Sequence, residues 1–203
     1  MIRKKKEGKM KTEEIFKKII IEKDKVKLLL ELEPEQISDI IEMFLRDELT
    51  DLQNRRGFMH LAKHQLKVSK RRGEKAFLIY IDVNNLKITN DKFGHDVGDK
   101  LIKTIARVFK NSFRESDIIG RLGGDEFAIL TCSNGNETKE NIKERIEKKI
   151  AEESLLNSML PVSLSVSIGI STYDPGDPFS LENLIKEADE LMYEDKKKKR
   201  KLK

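Results

Sequence analysis

The order of strand-like and helix-like segments predicts an α+β domain of the split βαβ type. This is a ferredoxin-like or palm-like, antiparallel-mixed central sheet flanked by helices, here preceded by N-terminal helices. Three observations carry this expectation. AFLIYI at 76–81 is an unbroken apolar run of strand length, as expected of a strand covered on both faces. Leu101, Ile102, Ile105, Val108, Phe109 and Phe113 recur at helical spacing. IIGRLGGDEFAIL at 118–130 sets two apolar runs around a glycine pair, the signature of a hairpin.

Taken in order, Ile15, Ile19, Val26 and Leu29 or Leu30 form a helical stripe over 11–32. A second stripe, Ile37, Ile40 or Ile41, Phe44 and Leu45, follows Pro34, which separates the two helices or kinks one. These 46 residues hold too little core to fold alone, so their stripe is covered either by the following domain or by the same stripe of a second chain. The boundary therefore falls at 1–46 and 47–203. Beyond it the pattern gives a helix at 57–70, the strand at 76–81, a helix from Gly98 to Phe113 and the hairpin. A charged helix at 137–153, a strand at 162–170 and a last helix at 181–195 complete the domain.

Of 203 residues, 38% are charged and 37% apolar, with four prolines and no tryptophan. That balance fits a helix-rich domain and excludes a wholly disordered chain. The net charge of +5 is terminal: residues 196–203, KKKKRKLK, hold seven basic residues, leaving 34 basic against 36 acidic elsewhere. A basic body of the kind that binds nucleic acid is thereby excluded, and the tail is either a solubilising end or a phosphate contact. Cys132 is the single cysteine, which fits a reducing, cytoplasmic compartment and forbids an internal disulfide. No apolar run approaches the roughly 20 residues of a membrane span, so no membrane partner is expected.

The acids carry the chemistry. Gly123 and Gly124 suit the centre of a two-residue turn, since glycine accepts positive φ, and this sets Asp125 and Glu126 just past it on opposite faces. Asp82 ends the buried strand 76–81. Asp82 and Asp125 are either strand-end turn formers or two carboxylates converging on a hard cation, which would suit phosphoryl or nucleotidyl transfer. Asn90, with a donor and an acceptor, and Asp99, an acceptor for two donors, are either helix caps or the pair that a guanine edge requires. His95 alone indicates no catalyst, and no cysteine or second histidine has zinc-ligand spacing.

Together these segments resemble the GGDEF-domain diguanylate cyclases. The signature is Gly123-Gly124-Asp125-Glu126-Phe127, and the resemblance covers residues 47–200. DELTDLQNRRGF at 47–58 is similar to the family's entry segment, with Asp51 where glycine is usual. IDVNNLKITNDKFGHDVGD at 81–99 is similar to its nucleotide segment, SVSIGI at 165–170 to a later strand, and ADELMYEDKKKKR at 188–200 to its final helix. The resemblance implies that two GTP molecules, one on each of two facing domains of a homodimer, are joined into cyclic di-GMP with release of pyrophosphate.

It further implies that Asp82, the Val83 carbonyl and Asp125 hold magnesium, two ions per site with manganese as a substitute. Asp125 then takes the proton of the ribose 3′ hydroxyl, Glu126 assists with the metal, and Lys87 stabilises phosphate charge. Asn90 and Asp99 read guanine, with His95, Gly123 and Gly124 beside the substrate and Lys196 and Arg200 on its phosphates. Arg114-Glu115-Ser116-Asp117 resembles the family's RxxD site, at which cyclic di-GMP inhibits through Arg114 and Asp117; by residue type alone it is a surface ion pair. Asn84, Leu86, Asp195 and Lys199 depart from the frequent aspartate, phenylalanine, alanine and glycine. The alternative function is a catalytically inactive module that binds GTP or cyclic di-GMP.

Overall fold

The computed structural model describes residues 33–201 except 134, 136, 158, 159 and 179. The helix expected over 11–32 and the last two residues of the tail lie outside that range. The chain divides into two compact units, Met1–Leu45 and Arg46–Lys203. In the first, helix α1 spans Pro34–Leu45, with Pro34 as its opening residue. A proline there gives up only an N–H that has no partner within the helix, so it starts the helix rather than kinking it. Ile41, Met43 and Phe44 on α1 are exposed.

The second unit runs β1 (Gln53–Asn54), α2 (Arg55–Arg72), β2 (Ala76–Val83), α3 (Leu86–Phe93), α4 (His95–Ser112), β3 (Ile118–Arg121), β4 (Glu126–Cys132), α5 (Lys139–Leu156), β5 (Val166–Tyr173) and α6 (Leu181–Lys201). The sheet order is β1-β3-β4-β2-β5. β4 lies between β2 and β3 and pairs antiparallel with both, and β2 pairs antiparallel with β5; only β1 and β3 are parallel. The split βαβ expectation is met, with the α+β sheet flanked by helices.

Every residue of β2 is buried, because both faces are covered. Phe77, Ile79 and Ile81 point into a core with Leu101, Ile105 and Phe109 of α4 and Ile142 and Ile146 of α5. Leu78 and Tyr80 face the other way, onto Phe58 and Leu66 of α2 and Ala188 and Met192 of α6. The Phe109 and Phe127 rings meet edge to face, 5.3 Å between centroids. At the core of the second face, a Cβ on Gly169 of β5 would collide with the Ala188 carbonyl. The last helix therefore lies unusually close to the sheet, and SVSIGI needs its glycine for that approach.

Several boundaries differ from the sequence reading. α3 goes beyond the sequence reading, since LKITNDKF has only a weak apolar stripe; it ends on Gly94, whose positive φ of 85° suits glycine. α4 begins at His95 rather than Gly98. β5 runs from Val166 to Tyr173, shifted toward the C-terminus, since pairing with β2 and not apolarity fixes its ends. α6 continues to Lys201, six residues beyond the expected Asp195.

Candidate nucleotide and metal site

The central strands bring the two acids together. Asp82 is the last residue but one of β2, and the Val83 N–H that follows it donates to the Asp125 carbonyl at 2.9 Å. Asp82 is 7% exposed. Burial pushes its carboxyl pKa up and the nearby Asp125 carboxylate adds to this, while Lys196 and, more weakly, Arg200 pull the other way. The Lys196 ammonium donates to Asp82 Oδ1 at 2.6 Å. Two neighbouring carboxylates, one of them bonded to Lys196, form an oxygen donor set of the type hard divalent ions take, with room in the shell for water and phosphate oxygens. Among the described residues no group of three or more His, Cys, Asp or Glu side chains comes together, so any ion there would need such further ligands.

The glycine pair departs from the expected two-residue turn. Neither Gly123 nor Gly124 adopts positive φ. β3 ends at Arg121, paired with Phe127, and Leu122 N–H donates to the Glu126 carbonyl at 2.8 Å, so Leu122–Asp125 form a wider loop. Asp125 lies in that loop rather than in β4. What holds the loop is Arg121, a residue the sequence reading passed over. Its Nη1 bonds both carboxylate oxygens of Asp47, at 3.1 and 3.3 Å, and its Nη2 donates to the Gly124 carbonyl at 2.8 Å. Asp47 in turn accepts from the N–H and hydroxyl of Thr50. The signal was available as a lone arginine before the glycines and an aspartate opening DELT, but nothing in one sequence pairs residues 74 positions apart.

Glu126, on the strand, faces α2: Arg55 approaches it at 3.9 Å and Tyr80 hydrogen-bonds to it. Burial first, and then the Glu126 carboxylate, push the Tyr80 hydroxyl pKa up. Asp82 and Glu126 are cross-strand neighbours, so they share a sheet face.

Asn90 sits in the last turn of α3 and Asp99 in the second turn of α4, so neither caps a helix as the alternative reading allowed. A Cβ on Gly98 would collide with Asn90 Oδ1, an atom buried without a hydrogen-bond partner. Gly98 is thus a second missed residue: its lack of a side chain lets the Asn90 amide lie against α4, one residue before Asp99. Lys87, His95 and Asp99 are exposed. Asn84 is held on both sides, donating to Ser165 Oγ and accepting from Ser167 Oγ, each at 2.9 Å. The amide that departs from the family's frequent aspartate is therefore matched to its two hydroxyls.

Arg114 and Asp117 line a separate groove of about 420 Å³ together with Gln53, Lys110 and Ile119. Asp117 Oδ2 accepts from the Arg114 backbone N–H at 2.9 Å, and the Asp117 N–H returns a bond to the Arg114 carbonyl. The carboxylate is engaged by backbone and not by the guanidinium, contrary to the surface ion-pair reading, which leaves the Arg114 side chain exposed.

Comparison with known proteins matches residues 44–202 to the family model "Diguanylate cyclase, GGDEF domain". The chain belongs to the GGDEF family. It is similar to a probable diguanylate cyclase of Escherichia coli K12, DgcC, at 40% identity over 88 residues, 43% of this chain and 24% of that protein. It is also similar to the diguanylate cyclase DgcP of the same organism, at 29% identity over 188 residues, 93% of this chain and 55% of DgcP. The chain thus spans between a quarter and about half the length of these relatives. The GGDEF domain of DgcB from Caulobacter crescentus, solved in complex with c-di-GMP, superposes with a TM-score of 0.66 at 26% identity, covering 75% of this chain and 90% of that one.

Proposed function

We propose that the chain is a metal-dependent diguanylate cyclase that acts in the cytoplasm as a homodimer and is inhibited by its product. The observation that carries this reading is the approach of Asp82, near the end of β2, and Asp125, in the loop before β4, with Lys196 bonded to Asp82 and Arg200 near enough to act on it. Asp82, the Val83 carbonyl and Asp125 would hold magnesium, two ions per site or manganese in its place; when bound, the ions neutralise charge developing on the phosphates and favour the ribose alkoxide.

The residues of the chain supply the rest. Asn90 and Asp99 present complementary groups to a guanine edge, with His95 beside it and Gly123 and Gly124 close to the phosphates. Lys196 and Arg200 hold the polyphosphate, and Lys87 places a point cation near it. Asp125 accepts the 3′ hydroxyl proton, and Glu126 would assist in holding the metal. Each 3′ oxygen then attacks the α phosphorus of the facing GTP, the α–β bridging bond breaks, and pyrophosphate leaves. Two such transfers close cyclic di-GMP from two GTP, with two pyrophosphates released. One domain binds one nucleotide, so a second copy is required, and residues 1–46 would bring the two domains together. The Arg114–Asp117 groove would take the product, with Arg114 stacked over a guanine and reaching its acceptor edge.

The test is incubation with GTP and magnesium, after removal of co-purified nucleotide, followed by chromatographic resolution of products. Formation of cyclic di-GMP, lost in Asp125→Ala, supports the reading. Tight GTP binding with no product at high protein concentration would instead favour the inactive binding module.

A further inference from the structure

The stretch ADELMYEDKKKKRK ends in six consecutive basic residues, Lys196–Lys201, all in the last turns of α6. Like charges at i, i+3 and i+4 repel, so a helix end of this composition frays unless something holds it. Here two residues that depart from the family pattern hold it. The Asp195 carboxylate is buried. It accepts from Lys143 of α5 at 2.6 Å, from Lys199 at 3.0 Å and from the Ile168 backbone N–H at 3.0 Å. Lys199 spends its remaining donors on Glu147 of α5 at 2.6 Å and on the Val166 carbonyl at 3.0 Å. The network is neutral overall, so it adds little net field of its own.

Its anchor points matter most. Val166 and Ile168 flank Ser167, the cross-strand partner of Asp82, and Val166 is itself opposite Val83. Asp195 and Lys199 share one stripe of α6, and Lys196 and Arg200 form the next, one residue round. Fixing the first stripe to β5 at positions 166 and 168 thereby sets the second against Asp82.

We infer that the Lys143–Asp195–Lys199–Glu147 network positions Lys196 and Arg200 over Asp82, and that its integrity sets how tightly this site takes the polyphosphate of a nucleoside triphosphate. The role rests on the GTP reading of the Asp82 site. Asp195 and Lys199 are positioning residues, acting through Lys196. Burial works against the charged Asp195, but its three donors outweigh it and keep the carboxyl below the usual range. Burial likewise opposes the charge on Lys199, which Glu147 and Asp195 more than restore.

The test is calorimetric titration of the full chain with magnesium and a GTP analogue carrying a methylene between the α and β phosphorus atoms. Guanosine binding is followed in parallel by ligand-observed NMR. Lys199→Met and the milder Glu147→Gln are expected to weaken analogue binding, the former about tenfold, with guanosine binding unchanged. Lys199→Met added to Lys196→Met is expected to cost nothing further. Unchanged analogue affinity in Lys199→Met, equal losses for analogue and guanosine, or losses that multiply in the double variant would each overturn the positioning role. Failure of the unmodified chain to bind the analogue would instead overturn the GTP reading itself.

Discussion

Lys196 Nζ donates to Asp82 Oδ1 at 2.6 Å, joining the last helix to the end of the central strand across 114 residues of sequence. Asp82 is nearly buried and has another carboxylate beside it, so Lys196 is the group that keeps its charge tolerable. Removing one partner of such a pair leaves an uncompensated buried charge. Lys196→Met is expected to destabilise the domain by about 1–3 kcal/mol in chelator, measured by urea denaturation. Magnesium should recover more stability in the variant than in the parent; equal recovery would show that ion and ammonium do not share Asp82.

Gly98→Ala places a methyl group where Asn90 Oδ1 lies. Alanine is the better helix former by up to about 1 kcal/mol, so stability should hold or rise slightly. The displaced Asn90 amide should raise the KM for GTP about tenfold with little change in kcat, since a misplaced binding group weakens substrate recognition. Unaltered steady-state kinetics would detach Asn90 from guanine recognition.

Asp51 occupies the left-handed region, φ 56°, where the family's entry segment usually has glycine. Its carboxylate compensates in part through Arg46 and Lys110, each at about 3.3 to 3.4 Å. Both contacts are exposed and worth little. Asp51→Gly should change the unfolding free energy by less than about 1 kcal/mol, whereas Asp51→Val should lower it by about 1–2 kcal/mol, because a branched residue is strained there. Thermal melts of both variants decide the point.

Asp195 provides a pH signature. Its folded-state pKa lies below the ordinary value of 3.8, so its contribution is present above that value and disappears as pH falls through the folded one. The stability gap between the parent and Asp195→Asn should be wide at neutral pH and close as the solution is acidified below about pH 4. A gap that persists unchanged into strong acid would show that the carboxylate charge contributes nothing.

Arg114→Ala should weaken cyclic di-GMP binding in the groove that Arg114 shares with Asp117, while cyclase turnover survives. Relief of product inhibition in progress curves and reduced affinity by calorimetry are the expected results. Equal affinity in the variant and the parent would remove Arg114 from the inhibitory site.

Much of this molecule is written in local pattern. AFLIYI has the length and apolarity of a strand covered on both sides, and the 101–113 stripe has the spacing of an amphipathic helix, because burial periodicity follows from residue order. The GGDEF signature and the acids Asp82 and Asp125 beside apolar runs are likewise legible in residue order. The short helix α3 escaped notice because packing against α4, rather than its own weak stripe, stabilises it. The shape of the Gly123–Gly124 loop was also misread, since its geometry is imposed by Asp47 and Arg121 and not by glycine's conformational freedom.

What tertiary structure alone decided was partnership. Sequence placed Asp82, Asp195, Lys196 and Lys199 but could not say that Lys196 would face Asp82 while Lys199 turned to Glu147. Helix phase determines which stripe each residue occupies, yet only the docking of α6 through Gly169 onto β5 determines what each stripe meets. Long-range charge pairing depends on three-dimensional approach, for which the linear chain carries no signal of its own.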